Sequence, residues 1–338
     1  MSASGYPPPI HTWLPDEEKP KMHLQDKRVL VTGITGFIGS HLAERLVAEG
    51  AQVSAIGRAP ASALRLGTAR YEIDYYQEQH WDRESLARIL RSVRPAIIYH
   101  LAAAGVIGSW LDAEEAVRFN VGATLALVQP LPEWEYERFI YLGTCYEYGH
   151  HPPPIREDTP LDPTNVYAAS KAAASLFCQM YHRTYGWPIT VVRPFATYGP
   201  RQNERALIPQ VILHALRGQD FEMTSGQQGR DWVYVDDVVE GIVRASWADE
   251  AIGQTINLCT GEEHTVREVV GKVLALMDNP VRAVVGARPY RPGEIWHLVG
   301  DNLWVRELLD WQPQVGLEEG LRRTIEWYTA RFNAGVFG

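Results

Sequence analysis

Three observations in the 338 residues predict an α/β fold built on a doubly wound parallel sheet. Short apolar strands alternate with amphipathic helical stretches from Arg28 to about Ile189. A glycine-rich turn stands between the first of those strands and the first helix. The chain is 46% hydrophobic, enough to bury a sizeable core as one large or two interleaved domains.

The elements follow in order. Residues 1–26, with Tyr6-Pro7-Pro8-Pro9, Pro15, Pro20 and mixed charges, read as an extended or disordered tail. Arg28-Val29-Leu30-Val31 reads as a short buried strand. Thr32-Gly33-Ile34-Thr35-Gly36-Phe37-Ile38-Gly39 then turns into a helix over Ser40–Glu49 that stops at Gly50. Strand, glycine turn and helix make the first half of a dinucleotide-binding βαβ unit of the Rossmann type. Gly33 permits the tight turn, Gly36 lets the backbone approach a pyrophosphate, and Gly39 lets helix and strand pack. The free N–H groups at the helix start, with Phe37 and Ile38, then face the anion. Gln52–Ile56 is the second strand and ends at Gly57-Arg58. With an Arg and no acid there, a ribose 2′-phosphate suits the site better than a bare diol, so NADP is expected and NAD is the alternative.

Later segments place a second group of residues. Asn165-Val166-Tyr167-Ala168-Ala169-Ser170-Lys171 puts Tyr167 and Lys171 on one face of a helix. Only five of the 32 basic residues are Lys, so Lys171 stands out in a chain that otherwise uses Arg. A nearby ammonium is expected to lower a phenol from its usual ~10 toward the range where it trades protons at neutral pH. Alone, the pair reads equally well as a helical Tyr beside a solvated Lys. After Arg193 the rhythm becomes irregular and rich in Pro, Gly and Arg, where a substrate region is expected. Val233–Trp247 and Thr255–Leu258 are expected to return to the sheet. The domains expected are therefore 27–190 plus about 231–260 for the cofactor, and 191–230 plus about 261–332 for the substrate.

Gly-x-x-Gly-x-x-Gly at 33–39 with Tyr167-x-x-x-Lys171 resembles the extended short-chain dehydrogenase/reductase family of the nucleotide-sugar epimerase/dehydratase type. The resemblance runs from about Arg28 to about Tyr328. It is carried further by His100-Leu101-Ala102-Ala103, Asn120–Thr124, Phe139–Thr144 with Tyr148-Gly149, Arg193-Pro194-Phe195, Tyr198-Gly199-Pro200, Gly229–Asp237 and Arg291–Glu294.

The resemblance implies roles. Tyr167 is the acid/base toward a sugar hydroxyl or carbonyl, Lys171 binds the nicotinamide ribose, and Thr144 hydrogen-bonds the same sugar oxygen. Leu101, Ala102, Ala103 and Asn120 lie beside the cofactor, and Asp74 meets the adenine amino group. Arg230 and Arg291 clamp the phosphates of a nucleoside-diphosphate sugar, with Arg201 a further candidate. The family's usual Asn after Arg-x-Phe is Ala196 here, which removes one contact. The family's 4,6-dehydratases follow the catalytic Thr with Asp-Glu, whereas Cys145 and Tyr146 stand here and cannot replace that acid pair. A 4-ketoreductase running on NADPH is expected, with a 4-epimerase that keeps NAD as the alternative. An NADP-binding regulator or scaffold without catalysis is a third reading, opposed by the presence of Thr144, Tyr167 and Lys171. The resemblance also implies a homodimer through helices near Glu114–Leu127 and Tyr167–Tyr185.

A net charge of −9 argues against nucleic acid or an anionic membrane as partner. Three widely spaced cysteines, 145, 178 and 259, form no metal pattern and no disulfide framework, which agrees with a reducing cytoplasm. The apolar stretch near 96–108 is broken by His100 and too short to span a bilayer, and no signal peptide is evident.

Overall fold

The computed structural model describes residues 24–58, 72–105 and 112–337. Most of the predicted N-terminal tail, residues 1–23, lies outside them. Its last three residues do not behave as a free tail. Leu24 is buried in the core, and the Asp26 N–H donates to Gly50 O at 2.9 Å, which ties both to the sheet domain.

The strands and helices alternate as the sequence predicts. β1 (Arg28–Thr32) leads into α1 (Phe37–Ala48) and β2 (Gln52–Gly57). β3 (Ile73–Gln77), α2 (Arg83–Val93) and β4 (Ile97–His100) follow. Helix α3 runs through Ala113–Ala116, a π-helical turn at Val117–Gly122, and Ala123–Val128. β5 (Arg138–Leu142), α4 (Val166–Tyr185) and β6 (Ile189–Pro194) complete the alternation. After β7 (Ala196–Tyr198), α5 (Leu207–Leu216), β8 (Phe221–Met223), β9 (Gly229–Arg230) and β10 (Trp232–Tyr234), helix α6 (Val235–Trp247) leads back into β11 (Thr255–Leu258). The seven-stranded parallel sheet has the order β11-β6-β5-β4-β1-β2-β3. Strand order reverses between β1 and β4, the switch point where such sheets bind dinucleotides.

Each strand feeds two cores by alternation, as a sheet covered on both faces requires. Val29, Val31, Val53, Ala55, Tyr99 and Ile140 pack with Leu42 and Leu46 of α1 and Val239 and Ile242 of α6. Leu30, Ile56, Ile98, Phe139 and Tyr141 pack on the other face with Leu86 and Leu90 of α2, Leu127 of α3, and Cys178 of α4. A third cluster joins α5 to α7 (Val266–Leu276) and α9 (Leu317–Asn333), forming a smaller lobe with β8 and β13 (Ala283–Val285). β14 (His297–Leu298) pairs with β9, and β12 (His264–Thr265) flanks β9 on its other side.

Two of the expected domain limits move. The limit at 190 cuts β6, which stays in the sheet through Pro194 because Leu258 of β11 pairs there. The stretch 261–332 does not lie wholly in the small lobe. Val305 and Leu309 of α8 (Leu303–Leu309), with Trp311, are buried in the same core as Val29 and Ile140. Among the described residues no helix is long and apolar enough to cross a membrane, and no cluster of three or more His, Cys, Asp or Glu could hold a metal ion.

Candidate active site

A cavity of about 910 Å³ opens at the C-terminal ends of the strands, between the sheet and the small lobe. One wall is the glycine turn, with Gly33, Gly36, Phe37, Ile38 and Gly39 all lining it. Gly33 has φ +74°, and a Cβ there would stand 2.7 Å from Ala102 N. A Cβ on Gly39 would stand 2.2 Å from Gly33 O, so the helix start can approach the strand only without one. The adjoining wall is Leu101, Ala102 and Ala103, fixed through the Ala102 N–H to Thr32 Oγ1 at 3.2 Å. Thr32 also bonds His100 Nδ1 at 2.6 Å, and His100 Nε2 bonds Thr124 Oγ1 at 2.9 Å. Burial pushes His100 down to about 3, so it is a neutral bridge and not a proton donor.

Two expected cofactor contacts sit differently. Asn120 is buried behind the wall. Its Oδ1 accepts from Ala104 N at 2.8 Å, and its Nδ2 donates to Ala104 O at 3.1 Å and to Ser170 Oγ at 2.8 Å. Its amide is spent on tying the wall to α4, so it supports the site and does not line it. Asp74 pairs with Ser54 in mid-strand, three residues short of the end of β3, and faces a separate surface depression. Arg58, Trp81 and Phe119 line the main cavity instead. Arg58 does line it, with its guanidinium 4.2 Å from the centre of the Phe119 ring. Its carbonyl accepts from Gln77 Nε2 at 3.2 Å.

Thr144, Tyr167 and Lys171 meet at the centre of the cavity. β5 is buried along its whole length and delivers Gly143-Thr144 at its end. The α4 start is set by Asn165, whose side chain accepts the Ala168 N–H at 2.9 Å, and Tyr167 and Lys171 follow on one face. Thr144 Oγ1 stands within hydrogen-bonding reach of the Tyr167 phenol. Lys171 Nζ lies 4.1 Å from the centre of the Tyr141 ring. The expected lowering of the phenol by Lys171 is not what the surroundings produce. Burial pushes Tyr167 well above its ordinary value, and the carboxylate of Glu147 pushes in the same direction. It is Lys171 that falls, to about 8, because burial penalises its ammonium more than Glu147 supports it.

At the sugar and phosphate end, Arg230 and Arg291 line the cavity and Arg201 does not. Arg201 Nη2 lies 2.5 Å from Glu44 Oε2 on α1 and serves as a strut between the lobes. Arg230 is buried and already engaged, bonding Gly229 O and Ile295 O at 2.7 Å and Glu294 Oε1 at 2.5 Å. Ala196 lines the wall where a larger polar residue would project. Gln202 and Gln228, not singled out from the sequence, also line it, and each has a buried amide oxygen with no partner among the described residues. Such acceptors suit the N–H and O–H donors of a polar ligand. Nothing in their local sequence marks them, since a Gln in a loop is ordinarily solvated. A glycine cradle at the sheet's switch point, joined to a polar half-cavity, fits a nicotinamide dinucleotide beside a second polar substrate.

The comparisons agree with that geometry. A model of the family described as GDP-mannose 4,6-dehydratase matches residues 30–324. The UDP-glucose 4-epimerase of Mycolicibacterium smegmatis is 32% identical, over 89% of this chain and 98% of its own length. A dTDP-glucose 4,6-dehydratase of Neisseria gonorrhoeae is also 32% identical, over 91% and 98%. Among solved structures, the UDP-glucose 4-epimerase of Thermus thermophilus in complex with NAD superposes with a TM-score of 0.81 at 30% identity, covering 89% of this chain and 99% of its own. With the family's model spanning most of the chain, and with the glycine turn, Thr144, Tyr167 and Lys171 gathered round one cavity, this protein belongs to the extended short-chain dehydrogenases/reductases of the nucleotide-sugar epimerase/dehydratase type.

Proposed function

We propose that this protein is a nucleotide-sugar 4-epimerase that retains NAD and acts on a nucleoside-diphosphate hexose. The observation that carries the reading is the pair of residues after Thr144. Cys145 is buried, burial pushes its thiol up to about 12, and Tyr146 is a phenol, so the cavity has no carboxylate pair there to take the C5 proton and protonate the departing C6 hydroxyl. The relatives named as epimerases support epimerisation, and the NAD held by the Thermus thermophilus structure supports NAD as the retained dinucleotide.

Bound in this cavity, a nicotinamide dinucleotide supplies reversible hydride transfer and, when oxidised, a positive charge beside the phenol. The chain's own groups do the rest. Tyr167, once ionised with the help of that positive charge and of Lys171, would take the proton of the 4-hydroxyl as the C4 hydrogen departs as hydride, and return it when the hydride comes back to the opposite face. Thr144 Oγ1 holds the same oxygen and stabilises the charge that develops on it. Lys171 keeps positive charge next to Tyr167 and reaches the ribose side of the cavity. The small Ala196 leaves room for the keto-sugar to turn over. Arg230 and Arg291 set the diphosphate.

The second reading, a 4-ketoreductase running on NADPH, is favoured by one observation, Arg58 at the end of β2 where an acid would meet a bare ribose. Identifying the dinucleotide released on denaturation decides between them. Retained NAD, with nucleotide-sugar turnover and no net change in nicotinamide absorbance, supports the epimerase. Exchangeable NADPH consumed stoichiometrically with a 4-keto sugar overturns it.

We further propose a homodimer through α3 and α4. Val117 is 56% exposed, Leu176 49% and Phe177 39%, so the outer faces of these two helices leave large apolar side chains uncovered.

A further inference from the structure

Directly behind the three reacting side chains lies a buried carboxylate that the reaction above does not use. Glu147 ends the short turn Cys145–Glu147 and is 0% exposed. Its Oε1 accepts the backbone N–H of Thr144 at 2.8 Å. Its Oε2 accepts from Ser175 Oγ on α4 at 2.7 Å and from Arg193 Nε on β6 at 2.9 Å. Gly143 makes the space, since a Cβ there would stand 2.5 Å from Glu147 Oε1. Desolvating two charges offsets most of their attraction, so the Glu147–Arg193 pair is a poor device for stability alone. Its carboxylate touches the backbone that carries Thr144, and Ser175 stands one turn beyond Lys171 on the same helix.

We propose that Glu147 is a positioning residue for proton transfer, fixing Thr144 against Tyr167 while its charge keeps Lys171 protonated. The proposal rests on the reading that Thr144, Tyr167 and Lys171 handle the proton. The titratable groups facing Glu147 come from every element packed on it. They are Tyr167, Lys171 and Cys178 on α4, Tyr141 on β5, Arg193 on β6, and Cys145 and Tyr148 beside it. The negative charge raises Lys171 against the pull of burial, and raises the Tyr167 phenol as well. Arg193, which sits over the Tyr148 ring at 4.6 Å, offsets part of the carboxylate's charge, and the effect of Glu147 on Lys171 is the larger of the two.

The electrostatic part of the test needs no substrate. With five lysines in the chain, side-chain NMR of isotopically labelled lysine resolves Lys171, assigned through Lys171→Arg. Lys171 is expected to titrate near 8 in the parent and at least about half a pH unit lower in Glu147→Gln, which keeps the shape and loses the charge. Should that variant not fold, the paired Glu147→Gln/Arg193→Gln variant leaves no unpaired guanidinium beside Thr144 and is titrated instead, with a smaller shift in the same direction expected. An unmoved Lys171 overturns the electrostatic role. Glu147→Asp keeps the charge but withdraws the carboxylate from the Thr144 N–H. It is expected to lower kcat about tenfold or more with KM within about twofold, and a parental kcat overturns the positioning role. A parent protein that turns over no nucleotide sugar counts against the function proposed above, and leaves the lysine titration to decide the role of Glu147.

Discussion

Replacing Lys171 by Met should stabilise the protein while abolishing its chemistry. Lys171 is 1% exposed, and its ammonium falls from an ordinary 10.5 to about 8. At about 1.4 kcal/mol per pH unit, that fall is a cost of ~3 kcal/mol for holding the charged form in the fold. The figure already contains the attraction of Glu147, which opposes the fall. Met has a similar length, no charge, and packs against the Tyr141 ring that now carries the ammonium at 4.1 Å. The sign follows from linkage. The folded value lies below the unfolded one, so as pH falls from 10.5 to about 8 the unfolded chain binds a proton that the folded one refuses, and stability is lost over that window. The advantage of the Met variant is therefore full below about pH 8 and closes as pH approaches 10.5. Urea unfolding of parent and variant, side by side at about pH 7 and about pH 10, measures it. A variant less stable than the parent near neutrality, or an advantage that does not change with pH, refutes the reasoning.

Further outcomes follow from the same geometry. Tyr167→Phe should lower kcat roughly 10²–10⁴-fold while dinucleotide affinity stays within about threefold, by single-turnover kinetics and binding titration. Arg58→Ala should leave NAD retention within about threefold, because its guanidinium rests on Phe119; a loss confined to NADP(H) would favour the reductase reading. Leu176→Glu combined with Phe177→Glu should convert a dimer to a monomer in sedimentation, since both side chains face outward from α4. An unchanged sedimentation coefficient would place the contact elsewhere.

What could be read from the sequence was what the backbone dictates locally. A tight turn between a strand and a helix requires glycine at 33 and 39 whatever surrounds it, and residues four apart on a helix share a face, which brought Tyr167 and Lys171 together. What could not be read were properties that depend on partners distant in sequence. Asp74 has the residue type expected for adenine, but its register against Ser54 holds it in mid-strand. Asn120 has its amide consumed by Ala104 and Ser170, and Arg201 is taken up by Glu44 across the lobe boundary. The sign of the effect on Tyr167 also turned on tertiary structure. Burial and Glu147 together outweigh an ammonium one helical turn away, and neither was visible in a Tyr-x-x-x-Lys spacing. The C-terminal stretch around Trp311 belongs to the sheet's core because its indole N–H reaches Asp237 O at 2.9 Å on α6, a contact no local pattern announces.

The central claim is that a hydride leaves C4 of one nucleotide sugar and returns to it while Tyr167, with Thr144 and Lys171 beside it, takes and gives back the proton of the 4-hydroxyl. The most direct measurement follows deuterium placed at C4 of UDP-glucose through turnover by the intact protein. The account predicts a C4-inverted product that keeps the label at C4, with no exchange into water. Loss of the label to solvent, or a 4-keto product dehydrated across C5 and C6, would contradict it.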